Sequence, residues 1–76
     1  MTYDVEYTDT FGGEANYGWV RRYEVAGKTD RQVMRRAKAA VGLTGVRGRV
    51  SRMCHGFAFY PYGSATVMFV TVAWEV

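Results

Sequence analysis

The chain has one cysteine, one histidine and one proline among 76 residues, and the first two shortages each close a chemical route. Cys54 forms no intramolecular disulfide and finds no second thiolate with which to share a metal, so packing must hold the fold, and a reducing compartment is expected. His55 is the only imidazole, and the acids at positions 4, 6, 9 and 14 lack the spacing of a calcium loop. Adjacent residues of an extended chain point to opposite faces, so Cys54 and His55 do not read as a nucleophile and its base. The expectation there is a small buried cysteine beside a turn histidine. Asp9 and Glu14 flank FGG, but a chain this short encloses little volume in which to shift a carboxyl pKa for hydrolysis. No metal, cofactor or catalytic residue is therefore expected. Long apolar runs are also absent: Thr2 onward alternates, without the basic start and continuous apolar stretch of a signal peptide, and no segment is long enough to span a bilayer. A cytosolic protein with no membrane contact follows as an expectation.

What is present is core material. With 49% hydrophobic and 16% aromatic residues, the chain has enough to fold as one domain, residues 1–76, around a modest core. TYDVEYT places Tyr3, Val5 and Tyr7 on one side and Thr2, Asp4, Glu6 and Thr8 on the other, the pattern of a half-buried strand. A second strand is expected over Tyr17 to Val25, where Arg21 interrupts an otherwise apolar face of Tyr17, Trp19, Tyr23 and Val25; an arginine there either stacks on the rings or faces a partner. GKTDRQVMRRAKAAVGL predicts the single helix, with Thr29 and Gln32 at capping-box spacing, Asp30 in the first turn and Gly42 closing it. Its apolar stripe is Val33, Met34, Ala37, Ala40 and Val41, with Arg31, Arg35, Arg36 and Lys38 pointing away. GLTG has the Gly-x-x-Gly form of a KH-type clamp, but VRGRV after it reads as strand, and a helix end followed by a turn explains both glycines. Extended segments follow at about Val46–Cys54, Gly56–Tyr60 and Ala65–Trp74, the last apolar on both faces and so expected at the centre of the sheet. The order β-β-α-β-β-β, or β-β-α-β-β if Val46–Tyr60 is one bent strand, predicts an α+β fold of two layers: an antiparallel sheet of four to five strands with one helix packed on one face.

Charge is segregated along the chain. Residues 1–18 carry Asp4, Glu6, Asp9 and Glu14 and no base, whereas all ten Lys and Arg lie between Arg21 and Arg52. After Asp30 the helix and the following segment hold Arg31, Arg35, Arg36, Lys38, Arg47, Arg49 and Arg52 with no acid between them, a pattern suited to phosphate or to an acidic protein surface. The run DTFGGEANYGWVRR, Asp9 to Arg22, reads as an eight-residue connection, Asp9 to Asn16, that enters an aromatic strand. Glycines and an Asn-capped turn account for part of it, while Phe11, Glu14, Tyr17, Arg21 and Arg22 are left for recognition.

DTFGGEANYGWVRR, with GLTGVRGR and FYPYGSATVMFV, resembles a group of small proteins encoded by phages and prophages, and the resemblance covers most of the chain. Small phage proteins of this build include inhibitors of bacterial CRISPR defence. The resemblance implies a protein of the bacterial host cytoplasm that occludes a nucleic-acid or subunit-binding surface of a type I CRISPR effector complex. In that reading, Asp9 and Glu14 meet arginines that normally hold DNA, and Arg21, Arg22, Arg31, Arg35 and Arg36, with Tyr17, meet the partner protein or ribonucleoprotein. The expected species is a monomer. The competing expectation is a small regulator that binds nucleic acid directly through the basic helix.

Overall fold

The computed structural model describes residues 1–73, so the Trp74 end of the last expected strand lies outside the described residues. The elements are β1 (Thr2–Phe11), β2 (Glu14–Ala26), α1 (Asp30–Val41), β3 (Gly48–Met53), β4 (Gly56–Pro61) and β5 (Thr66–Val72). All strand pairs are antiparallel, in the order β2-β1-β5-β4-β3, which is the expected α+β architecture in its five-strand form. β5 pairs with β1 and β4 and so lies at the centre, as its two-sided apolar sequence predicts.

Alternation decides which side faces the helix. Tyr3, Val5 and Tyr7 of β1 stand opposite Val72, Val70 and Met68 of β5, and Val70 and Met68 stand opposite Phe57 and Phe59 of β4. Val5, Tyr7, Val70, Met68, Phe57 and Phe59 of those rows meet Val33, Ala37 and Val41 of α1 to form one buried core, with Tyr3, Val25, Met34 and Leu43 at its margin. Fully burying such a side chain is worth about 1.5–3 kcal/mol, so this cluster supplies most of what offsets the entropy of ordering a short chain. Helix and sheet are close-set where they join. A Cβ on Gly27 would lie 2.6 Å from Val33 Cγ2.

Both helix ends form as their residues require. Thr29 is extended (φ −129°, ψ 156°), its Oγ1 accepts the Gln32 N–H at 3.2 Å, and Gln32 Oε1 in return accepts the Lys28 N–H at 2.8 Å. At the other end Gly42 takes the left-handed conformation (φ 81°), which lets the Gly42 and Leu43 amides reach the Ala39 and Lys38 carbonyls at 3.4 and 2.7 Å. The GLTG glycines are thus a helix end and a turn.

Three expectations need correction. The segment Asp9–Asn16 is not a long connection: β1 continues to Phe11, and Gly12 and Gly13, both at positive φ (63° and 86°), make a two-residue hairpin turn. Cys54 is exposed, because it shares with His55 the tight turn between β3 and β4, where neither side chain is directed at the core. Lys38 does not point away. Its Nζ donates to the Val46 carbonyl at 2.8 Å and lies 4.2 Å from the Phe59 ring centroid, so its stem covers the core edge beneath the β3 entry. Arg36 is exposed, as expected of the outward face, with Nη1 donating to the Ala26 carbonyl at 2.6 Å.

Candidate binding surface

The irregular feature of the sheet is in β2. Thr8 pairs with Val20 and Thr10 pairs with Ala15, so Asp9 alone faces Asn16, Tyr17, Gly18 and Trp19 across the ladder. A bulge of that size leaves backbone groups without ladder partners, and β1 supplies them from side chains. Asp9 Oδ1 accepts the Gly18 N–H at 2.8 Å and the Trp19 N–H at 3.4 Å, and Oδ2 accepts Asn16 Nδ2 at 2.9 Å. Thr8, fully buried, donates its hydroxyl to the Trp19 carbonyl at 2.7 Å. Asp9 is therefore a clamp, and its pKa is lowered chiefly by the Asn16 amide and then by the backbone donors, which outweigh the opposing effect of partial desolvation.

The bulge sets two aromatics. Tyr17 is held at φ 53°, the only described residue other than glycine with positive φ, and remains 50% exposed. Its pKa is raised, first by a hydrogen bond to Glu6, then by desolvation and the Glu6 charge, against a smaller opposing effect of Arg22. Arg22 Nε in turn donates to Glu6 Oε2 at 3.2 Å. Tyr17, Glu6 and Arg22 thus gather on the sheet face away from the helix, where with Asp4, Met53, Phe69 and Thr71 they line an open depression of about 520 Å³. The floor drops there because the β4 residues opposite Thr71 and Phe69 are only Gly56 and Ala58. Trp19 takes the other side: its ring meets Tyr7 edge-on at 5.2 Å (64°), with the Arg21 guanidinium 6.0 Å from its centroid, so the arginine that interrupts the aromatic face stacks locally.

The residues predicted for partner contact therefore divide between two regions. Asp9, Glu14, Tyr17, Arg21 and Arg22 lie on the β1–β2 hairpin, with Arg21 and Arg22 on opposite faces; Arg31, Arg35 and Arg36 lie on α1. Glu14 is exposed at the hairpin tip beside Phe11, which is 81% exposed. Arg31 and Arg35 line a shallow groove with Lys28, Thr29 and Gln32, while the one acid of the helix, Asp30, is bound to Arg52 at 2.8 Å. Missed from sequence were Glu6, Met53 and Phe69 of the open face. The signal for Phe69 was available: it alternates with Met68 and Val70 in a strand apolar on both sides, and only one side can meet the single helix.

Three comparisons, with family models, curated proteins and solved structures, match this chain to none of them.

Proposed function

We propose that this chain is a non-enzymatic binding protein that disables a host machine by covering one of its surfaces, with Tyr17 and its neighbours as the contact. The observation that carries the reading is a half-exposed tyrosine kept in a disfavoured backbone conformation by a dedicated carboxylate clamp. Backbone strain of this kind costs on the order of 1 kcal/mol and is characteristic of surfaces that work by being held in place. Tyr17 and Arg22 are of the residue types that dominate binding energy when buried against a partner, and a pre-set bulge lowers the ordering cost of association. The choice of target rests on the resemblance of the hairpin run to phage proteins: a type I CRISPR effector complex in the bacterial cytoplasm, blocked at a nucleic-acid or subunit-binding surface. The test is target-DNA binding by a purified type I effector complex. The chain should abolish it in stoichiometric amounts, and Tyr17→Ala should weaken the inhibition by about 10-fold or more. Unchanged DNA binding with the chain in excess would sink the choice of target.

The Lys28, Arg31 and Arg35 groove favours a second reading, direct binding of nucleic acid. That reading requires retention of DNA or RNA that falls steeply with salt. Absence of any gel shift at low ionic strength rejects it.

A further inference from the structure

The outer edge of β2 carries information about what pairs with it. Met1 and Gly27 exchange both backbone hydrogen bonds, Gly27 N–H to Met1 O at 3.1 Å and the Met1 amine to Gly27 O at 3.4 Å. An antiparallel ladder alternates strictly, so Val25, Tyr23 and Arg21 direct their N–H and C=O groups at β1, while Ala26, Glu24, Arg22 and Val20 direct theirs outward. This stretch contains no proline, and the bulge that would break pairing ends before it, at Trp19. Arg36, bound to the outward carbonyl of Ala26, closes only the last position.

Charge then selects the partner. Glu24 stands directly opposite Asp4 on the open face, and among the described residues neither carboxylate is in an ion pair, an arrangement that repels. Two residues away on the same face, Arg22 engages Glu6 through Nε while its side chain remains 68% exposed. We propose that β2 pairs antiparallel with β2 of a second copy of this chain about a two-fold axis at Tyr23. Hydrogen-bonded pairs require outward-directed residues opposite one another, so only registers that match Val20, Arg22, Glu24 and Ala26 among themselves are open. Centring on Arg21, Arg22 or Glu24 sets like charges face to face, and centring on Val25 sets Glu24 opposite Ala26 with no countercharge. Centring on Tyr23 sets Arg22 opposite Glu24 of the second copy twice, which relieves the Asp4–Glu24 repulsion, and brings the two Tyr23 side chains, each 39% exposed, together as a cross-strand aromatic pair. The species is then a dimer with one continuous sheet, where the sequence led to the expectation of a monomer. This pairing does not rest on the target assigned above; it shares Arg22 with the contact proposed there, and Tyr17→Ala, which leaves the seam untouched, separates the two.

Sedimentation equilibrium tests it. The wild-type chain reaches twice the monomer mass as concentration rises. Arg22→Glu and Glu24→Arg each weaken self-association by about 100-fold, because two attractive contacts become two repulsive ones. An equimolar mixture of the two variants restores the dimer as a mixed species, since one copy then presents two acids and the other two bases at the same positions. A wild-type chain that remains monomeric at its solubility limit, or two folded variants that form no mixed dimer, overturns the proposal. Should either variant fail to fold, hydrogen exchange on the wild type decides: the outward amides of Arg22 and Glu24 gain protection as concentration rises, and exchange at the rate of free amides throughout refutes the pairing.

Discussion

At the residue scale Asp9 and Tyr17 form a pair of opposites, one satisfied and one strained. Each oxygen of the Asp9 carboxylate accepts at least one donor of the bulge, so protonating it removes acceptor capacity from groups that have no ladder partner. Its folded pKa is depressed, so the stabilisation it gives is present above the ordinary carboxylate value and lost as pH falls through the lower, folded one. The expected result on acid titration is a coupled change in the Gly18 and Trp19 backbone amide resonances with a midpoint below that of free aspartate. In Asp9→Asn the same resonances should be shifted at neutral pH and lose that transition. Tyr17 presents the reverse case. Glycine there would relieve a left-handed conformation that costs a side chain about 1–2 kcal/mol, while adding about 0.5–1 kcal/mol of chain entropy to be lost on folding. Tyr17→Gly should therefore leave stability, measured by urea unfolding, within about 1 kcal/mol of wild type while reducing partner binding. A large loss of stability would show that the tyrosine is there for the fold.

At the scale of the element, β4 shows how tightly the sheet is set. Gly56 begins the strand, and a Cβ there would run into the Val70 carbonyl oxygen and lie 2.9 Å from Thr71 Cα, both backbone of the central strand. Backbone cannot rotate aside as a side chain does, so Gly56→Ala should cost about 3 kcal/mol, read as a lowered urea midpoint. The same strand explains what was legible from sequence. Where one side of an element meets the core, the apolar pattern is obligatory: the alternation of Thr2–Thr8, the Val33–Ala37–Val41 stripe with its Thr29 and Gly42 ends, and the two-sided β5 are all written in the residues. The hairpin tip escaped because neither of its sides is buried, so no alternation marks Thr10–Ala15 as strand. The Gly12–Gly13 pair was the available signal for a tight turn. The clamp was not legible at all, because it depends on which residue lies across the ladder from the bulge. Likewise Arg36 and Lys38 carry the helix's outward period but are long enough to reach carbonyls of Ala26 and Val46.

At the scale of the whole molecule the described residues form a sheet with a helix on one side only, and two adjacent residues of β5 measure that asymmetry. Met68 is fully buried among Val5, Tyr7, Val33 and Phe59 beneath the helix, whereas Phe69 faces the open depression and is half-buried. A domain of this length has about 4–11 kcal/mol of stability in total. Met68→Ala removes about 2–5 kcal/mol of it, which lowers the thermal midpoint by roughly 10 °C or more. Phe69→Ala removes a larger side chain, yet its ring already touches water on one side and leaves no closed cavity, so its cost should stay below about 2 kcal/mol. Circular dichroism melting of the two variants side by side gives the comparison. If the larger residue proves the cheaper loss, stability resides in the helix-facing layer and the open face is free to evolve toward a partner. Equal costs would mean that the sheet has two cores, and the depression lined by Tyr17, Glu6 and Arg22 would then belong to the fold rather than to recognition.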